Sequence, residues 1–599
     1  SEGFRIEGII HKLPPKLHIV RNHNISYILI MKKHWQMLQP DIGSVKKISN
    51  ALKCNPIIAS ILINRNIVSV EDAFDFLNPS FNNMRSPFSI KGINTAVSRI
   101  YSAIINNEKI LIFGDYDVDG ITATTILLEF FSYIGTNAYY YIPHRIKEGY
   151  GLQKNHITDY AMPKGINLII TVDCGSSSYD AVKAAQRLGI DVIITDHHRI
   201  SDRPPHAFAV VNPKRTDCTS GLDNLAGVGV AFYLLICLRK HLRDNSFWHN
   251  LPEPNLKNLC DLVALGTIAD MVPLVDENRI LVNAGLEKIY TGERNGMKAL
   301  VEECKLKAPL TDTDDIAFKL APRLNAPGRI DHAKTAVELL TTKHLDIARQ
   351  TAQTLNKLNI QRQVIEKELT DNILFYLNKN PHLLQKKTLV LSNQGWHEGI
   401  LGIVASRLAK KFFRPVVLIS TKDGIGKGSA RSVPGFDLYN GLMNCASDLE
   451  NFGGHSMAAG LKIKNENITL FQENFEKNAN KQTINLVPVI TIDYELNFDD
   501  ISDTLIDDLE ALKPFGAGNH EPLFTAKNIK VLSSKIVGEN HRNMLLKQNS
   551  SSKGKGFNAI HFNIDKSKQL NDGFDKIAFR LRWNHWNGTK KAQIIIEET

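Results

Sequence analysis

From Lys109 onward the chain alternates short apolar runs with amphipathic stretches of helical length. Ile110–Phe113 is one such run; it ends in Gly-Asp and is followed at helical spacing by Ile121–Tyr133. Asn167–Val172 is a second, ending at Asp173 before the helix-like Tyr179–Leu188, and Val192–Thr195 is a third, ending at Asp196. Short apolar runs in alternation with helical segments predict βαβ units and a parallel sheet. Upstream, residues 44–103 carry the spacing of short helices, broken by a Pro/Asn-rich stretch at Asn78–Pro87. Downstream, Leu256–Leu286 reads as largely helical and bears Asp270, while Ala321–Arg329 reads as a proline- and glycine-rich loop.

Residues 335–380 place Leu, Ile and Val at helical spacing without a glycine, which predicts long connecting helices. Near Lys387 a second α/β texture begins, with the strand Leu389–Leu391 and the glycine-rich Gly424–Gly428. From about Leu486 short strand-like segments run to Thr599, the pattern of a small barrel. The expected organisation is a poorly ordered extension over 1–30, a helical segment over 31–105 and a parallel-sheet α/β domain over 106–334. Connecting helices over 335–386, a second α/β domain over 387–485 and a barrel over 486–599 complete it.

Composition narrows the function classes. At 43% hydrophobic and 22% charged residues over 599 positions, the chain is neither collagen-like nor wholly disordered. No stretch approaches the roughly 18 consecutive apolar residues of a membrane span, and the N-terminus lacks a secretory pattern, so a cytoplasmic protein is expected. Seven scattered cysteines without a Cys-x-x-Cys pair argue for reduced thiols and against structural zinc. The net charge is +10, and residues 526–599 alone hold 14 Lys+Arg against 6 Asp+Glu. A basic C-terminal module beside a near-neutral body suggests a polyanion-binding attachment.

The chemistry is positional. Three consecutive predicted strands end in acid: Asp115-Tyr-Asp117-Val-Asp119-Gly, Asp173-Cys-Gly and Asp196-His197-His198. Ligands of open α/β sheets bind beyond the carboxyl ends of the strands. Carboxylates gathered there repel one another unless cations neutralise them. Oxygen donors with one or two imidazoles suit Mn²⁺ or Mg²⁺, and there are enough of them for two ions. Singly, each Asp could instead cap the next helix, and Asp270 could pair with an arginine. The absence of a Gly-x-x-x-x-Gly-Lys-Ser/Thr loop speaks against an ATP motor. Gly227-Val-Gly229 reads as helix packing. Gly424-Ile-Gly426-Lys-Gly428-Ser429-Ala-Arg431 suits either a phosphate clamp or a tight hairpin, and Gly453-Gly454-His455 a close backbone approach.

These acidic motifs, together with Leu265-Gly-Thr-Ile-Ala-Asp270, resemble the four motifs of the DHH phosphoesterase superfamily. Arg323-Leu-Asn325-Ala-Pro-Gly328-Arg329, Gly395-Trp-His397-Glu-Gly, Lys427-Gly-Ser429-Ala-Arg431-Ser, Gly453-Gly454-His455-Ser-Met-Ala-Ala-Gly460 and Pro514-Phe-Gly-Ala-Gly518 resemble the pattern of its RecJ family. The resemblance spans about residues 31–599 and implies a single-stranded-DNA-specific 5′→3′ exonuclease of recombination and repair. It implies a DHH-type parallel-sheet domain, long linking helices, a DHH-associated α/β domain and an OB-fold-like barrel.

By the same resemblance Asp173 bridges two ions, Asp115 and Asp117 hold the first, and Asp119, His197 and Asp270 the second. His198 faces the scissile phosphate and, with Asp117 and Asp173, makes the catalytic set. Ser429 and Arg431, with Arg329 and Arg323, grip the 5′-terminal phosphate; Asn325, His397, Gly454 and His455 complete the substrate-binding set. The implied partner is single-stranded DNA with a 5′ end, alongside a single-strand-binding protein and a helicase, and the implied state is a monomer away from membranes. Pro327 stands where the family often has a small residue and is expected to stiffen its loop. Trp583 and Trp586 are candidates for base stacking or for barrel packing. The alternative activity is a DHH phosphodiesterase of short oligonucleotides or cyclic dinucleotides, for which the basic barrel has no use. A non-catalytic scaffold is disfavoured, because every acidic motif position is filled.

Overall fold

The computed structural model describes residues 33–306, 312–482, 487–549, 554–564, 571–586 and 589–599. The extension expected over 1–30 lies outside them. The first described element is a strand, β1 (His34–Met37), followed by three short helices, α1 (Ile42–Leu52), α2 (Pro56–Asn64) and α3 (Val70–Leu77). Side chains of Asp41, Asn55 and Ser69 accept backbone N–H bonds at the three N-termini, which satisfies donors the first turn leaves open.

The first α/β domain follows α4 (Ile93–Ile105). Its strands are β2 (Ile110–Gly114), β3 (Ala138–Tyr141), β4 (Leu168–Val172), β5 (Asp191–Thr195) and β6 (Ala209–Val211), all parallel in the order β3-β2-β4-β5-β6. Every residue of β2 and β4 is buried, as a sheet covered on both faces requires. Alternation divides the strand between two cores. Ile110 and Ile112 face α4, α5 (Val118–Tyr133), α7 (Gly227–Asp244) and α8 (Cys260–Asp270), whereas Leu111 and Phe113 face the layer of α6 (Tyr179–Arg187). Helices α9 (Asp276–Thr291) and α10 (Asn295–Glu303) close the first layer.

Ala321–Arg329 corrects the expectation of a loop. It continues a helical path from α11 (Thr313–Asp315) and the π-turn Ile316–Leu320 through α12 (Ala321–Asn325) and α13 (Pro327–Ile330). Pro322 and Pro327 sit in the first turns of their helices, where the missing N–H costs no bond. After α14 (Lys334–Thr341), the 35-residue α15 (Leu345–Lys379) carries the chain to the second α/β domain. There β7 (Leu389–Gln394) leads to α16 (Glu398–Phe412), β8 (Val416–Lys422), β9 (Ile425–Arg431), α17 (Leu438–Met443), β10 (Asn451–Gly454), β11 (Ala458–Lys464) and α18 (Ile468–Lys481). The sheet order is β10-β11-β9-β8-β7, parallel only between β7 and β8. The hairpin alternative for Gly424–Arg431 is correct as geometry: Asp423 and Gly424 turn at φ 50° and 80° between β8 and β9.

The last region has β12 (Val489–Ile492), β13 (Tyr494–Glu495) and α19 (Asp503–Glu510) ahead of a barrel. The barrel strands β14 (Phe524–Val537), β15 (His541–Gln548), β16 (Gly556–His561), β17 (Gly573–Trp586) and β18 (Thr589–Glu598) close through the β14–β17 pairing. The helical reading of 31–105 needs correction on two counts. Its opening strand β1 pairs in parallel with β12, more than 400 positions away, and α1–α3 share one apolar core with the barrel rather than with the first domain. Of its four α-helices only α4 belongs to the first domain's core, together with Ile90 just ahead of it. Arg279, from α9, donates to the carbonyls of Phe76, Ala511 and Leu512 and so ties this composite module to the first domain. All seven cysteines are free.

Candidate active site

The carboxyl ends of β2, β4 and β5 deliver their acids to one place. After β2 the chain turns into α5 through Asp115–Gly120, and a Cβ on Gly120 would lie 2.6 Å from the Asp115 backbone, so the turn needs glycine there. Asp117 Oδ1 accepts the N–H groups of Asp119 and Gly120 at 3.0 and 3.2 Å, so one of its oxygens does cap the helix. Asp119 lies in the first turn of α5, and its carboxylate accepts from Gly227 N (2.6 Å) and Val228 N (2.8 Å) at the N-terminus of α7. Asp173 adopts a left-handed φ of 58°, a conformation side chains with a Cβ avoid. Gly227 packs against it so closely that a Cβ would sit 2.6 Å from Asp173 Cβ. Asp270 is the last residue of α8.

Three sets of donor atoms form, each lying within 4.8 Å: Asp115, Asp117 and Asp173; Asp119, His197 and Asp270; and Asp173, His197 and His198. His197 Nε2 is central, 3.2 Å from Asp173, 3.5 Å from Asp270 and 3.7 Å from Asp119. Asp115 Oδ1, Asp173 Oδ1 and both ring nitrogens of His197 are buried without a hydrogen-bond partner. Burial first, and mutual repulsion second, raises the carboxyl groups of Asp115, Asp173 and Asp270 well above their ordinary range and Asp119 to about 7. Burial and the neighbouring His198 charge push His197 down to about 3, which leaves it neutral and able to donate a lone pair. Orphaned oxygen donors and a neutral imidazole fit divalent cations of the Mn²⁺ or Mg²⁺ type.

Asp196 stands apart from these sets. Its carboxylate accepts from Ser176 N (2.9 Å), His197 N (2.7 Å) and His198 N (3.0 Å), and Oδ1 lies 2.9 Å from His198 Nδ1. Burial alone would raise it, yet the bonds and charge of His198 hold it below the usual carboxylate range. The same pairing overcomes burial and lifts His198 to about 9. Asp196 therefore fixes the ring that Asp173 and His197 flank.

The second α/β domain supplies the facing wall. His455, beyond β10, stacks on His198 with ring centroids 6.2 Å apart and 14° between planes. The tight turn before it uses Gly454 at φ 142°, where a Cβ would meet the Ala458 carbonyl at 2.4 Å. Ser429 and Arg431 alternate onto one side of β9, their side chains 3.3 Å apart. Both press on Gly402 of α16. Arg329 donates to the Gly399 carbonyl, and burial together with the charges of Arg145, Arg362 and Arg431 lowers it to about 9. The structure thus brings Ser429, Arg431 and Arg329 together, with His455 against His198. Arg323 is turned elsewhere: it donates to Asn356 of α15 and to the Lys319 carbonyl. Asn325 accepts from Val118 N at 3.2 Å and so steadies the start of α5. His397 is the N-cap residue of α16, and its buried Nδ1 has no hydrogen-bond partner.

Sequence reasoning missed three contributors. Arg145 lies 4.8 Å over the Tyr116 ring, and its charge acts on Asp115, Arg329 and Arg431. Tyr150 brings its hydroxyl within 3.2 Å of His198 Nδ1. Both follow the carboxyl end of β3, so the strand-end rule that found the acids would have found them too. The amides of Gly227 and Val228 carry no side-chain signal. Trp583 donates to Asp507 at 2.8 Å and packs on the barrel core, which favours packing over stacking; the Trp586 side chain lies outside the described residues. Part of the C-terminal positive charge is spent internally, Arg582 pairing with Glu521 and Arg580 with Glu521 at 2.8 Å.

Three family models match the chain: the DHH family N-terminal domain over residues 109–267, the DHHA1 domain over 385–481 and the RecJ OB domain over 492–598. The chain is 35% identical over 582 residues to the single-stranded-DNA-specific exonuclease RecJ of Bacillus subtilis, covering 95% of this chain and 71% of that protein. Among solved structures it is similar to RecJ of Thermus thermophilus in complex with Mn²⁺, at a TM-score of 0.79 and 27% identity, covering 94% of this chain and 79% of that one. The Mg²⁺ complex of the same protein matches at a TM-score of 0.74, with 27% identity over 94% of this chain and 78% of that one.

Proposed function

The chain belongs to the RecJ family, and from that premise we propose that it is a metal-dependent exonuclease that degrades single-stranded DNA 5′→3′ to 5′-mononucleotides. The observation that carries this reading is the opposition of two walls: orphaned carboxylates at the strand ends of one domain, and Ser429, Arg431 and Arg329 of the other side across the His198–His455 stack. Asp115, Asp117 and Asp173 would hold one divalent ion, and Asp119, His197 and Asp270, again with Asp173, a second. Bound there, Mn²⁺ or Mg²⁺ supplies charge to activate water and to stabilise the transition state and the leaving oxygen.

The protein's own groups then have defined tasks. Arg431, Arg329 and Ser429 grip the 5′-terminal phosphate by charge-assisted hydrogen bonds, with Arg145 beside them, which fixes the end of the strand relative to the acids. His198, oriented by Asp196, donates to a non-bridging oxygen of the scissile phosphate. The barrel holds the strand beyond the site through phosphate contacts. On family resemblance the reading extends to a monomeric cytoplasmic enzyme of recombination and repair, working beside a single-strand-binding protein and a helicase.

Product analysis tests it. With Mn²⁺, a long single strand labelled at its 5′ end should release labelled mononucleotide first, and a blunt duplex should resist. Release from the 3′ end, or preferential cleavage of cyclic dinucleotides, would overturn the reading.

A further inference from the structure

The acidic cluster has two electrically different ends. At the Asp115–Asp117 end the charges of Arg145, Arg329 and Arg431 converge, the cations assigned above to the 5′-phosphate. At the opposite end, formed by His197 and Asp270, one lysine joins His198 in acting on His197, Asp270 and His455 alike: Lys214. Lys214 is exposed and, among the described residues, makes no ion pair. Its backbone is nonetheless held. Buried Asn212 donates to Ser176 Oγ and to the His198 carbonyl, both at 2.9 Å, and its own oxygen accepts from Lys214 N at 2.9 Å. Arg215 then pins the next turn through the Val210 carbonyl (3.0 Å) and Asp217 (2.7 Å). The backbone of the loop past β6 is thus locked to His198, and the loop carries Lys214, whose charge reaches this end of the cluster, where Arg199 also acts on His455.

A strand whose 5′-phosphate lies among the arginines and whose first internucleotide phosphate lies on the acids must leave past the His197–Asp270 end. We propose that Lys214 forms a second phosphate subsite there, binding the internucleotide phosphodiester one nucleotide 3′ of the scissile one. This rests on the exonuclease reading and refines it: the strand is gripped on both sides of the reacting phosphate, so that the bond to be cut is positioned by two fixed points rather than one. An ammonium–phosphate bond of this kind contributes about 10- to 100-fold in kcat/KM.

A chemical double-mutant cycle decides the matter. The substrate is a 5′-phosphorylated trinucleotide with either a normal second internucleotide linkage or a neutral methylphosphonate in its place. The unaltered enzyme should lose at least about tenfold in kcat/KM on the methylphosphonate, and Lys214→Ala about as much on the normal substrate. Combining them should add less than about twofold further, because the charge pair is already broken, and Lys214→Arg should restore most of the rate. Removing the 5′-phosphate should remain fully multiplicative with Lys214→Ala. If the methylphosphonate costs Lys214→Ala as much as it costs the unaltered enzyme, the assignment of Lys214 is wrong while the exonuclease reading stands. If the unaltered enzyme cuts neither trinucleotide nor longer strands, both fall.

Discussion

The two α/β domains share an architecture of helices on both faces of a five-stranded sheet and use it in opposite ways. In the first, a parallel sheet places Asp115, Asp117, Asp119, Asp173, His197 and His198 beyond strand ends, Asp270 joins them from the end of α8, and the carboxylates are brought together against their repulsion. In the second, a mostly antiparallel sheet places Ser429 and Arg431 on the face of a strand and His455 beyond a hairpin, and the dominant charge is positive. Each wall is costly by itself: burial and the neighbouring Arg145 lower Arg431, as burial and neighbouring anions raise Asp173. The difference teaches that neither wall is shaped for the free protein. On the proposed reading, divalent ions and phosphates held between them would relieve both.

Breaking the acidic wall should have the largest effect. Asp173→Ala removes donors from two of the three sets and should lower hydrolysis by at least about a thousandfold, roughly 4 kcal/mol in activation free energy; steady-state rates on a short strand measure it. The next test exploits protons. Asp115, Asp119, Asp173 and Asp270 hold protons more tightly than ordinary carboxyls in the metal-free protein, and metal binding must displace those protons. Mn²⁺ affinity should therefore rise with pH, by about tenfold or more per unit up to about pH 7, and calorimetry in buffers of different ionisation heat should register proton release. The sign for stability is the same: a carboxyl raised in the fold stabilises at low pH and loses that contribution as pH rises, so Mn²⁺ should raise the melting temperature more at about pH 8 than at about pH 6.

The cationic wall should respond in its own terms. Arg431→Ala should shrink the preference for a 5′-phosphate over a 5′-hydroxyl end by about tenfold, with Mn²⁺ affinity unmoved. Ser429→Ala removes a neutral hydrogen bond and should cost only a few-fold on the same ratio, about 1 kcal/mol. An equal loss of Mn²⁺ affinity in either variant would show that the two walls are not separable.

The metal wall was legible because a parallel sheet turns local pattern into a global address: Asp115, Asp173 and Asp196 each close an apolar run, and runs of that kind end at the same edge. The same logic overreached at Asp196, which orients His198 instead of joining the donor sets, a distinction that depends on where one side chain turns. Arg323 shows a similar limit, since its motif places it beside the site but Asn356 turns it away. Pro322 and Pro327 suggested a loop because a proline's helix-breaking effect depends on its position within the turn, and local composition does not state that position. The shared core of α1–α3 and the barrel was invisible for a different reason. Amphipathic helices announce that they will be covered, not by what, and the covering strands lie at the other end of the chain.

That last arrangement has a consequence for the ribosome. Ile48, Ile58, Ile61 and Leu62 are among the first apolar residues of the described chain to be made, yet the surfaces that cover them, Phe524, Leu546, Phe579 and Ile594 among them, are among the last. With about 500 residues between the two at roughly 5–20 residues per second, the nascent chain carries an uncovered apolar flank for roughly 25–100 s while the two α/β domains fold between. The timetable of synthesis, more than the final contacts, is what makes this end of the molecule a natural client for a holding chaperone.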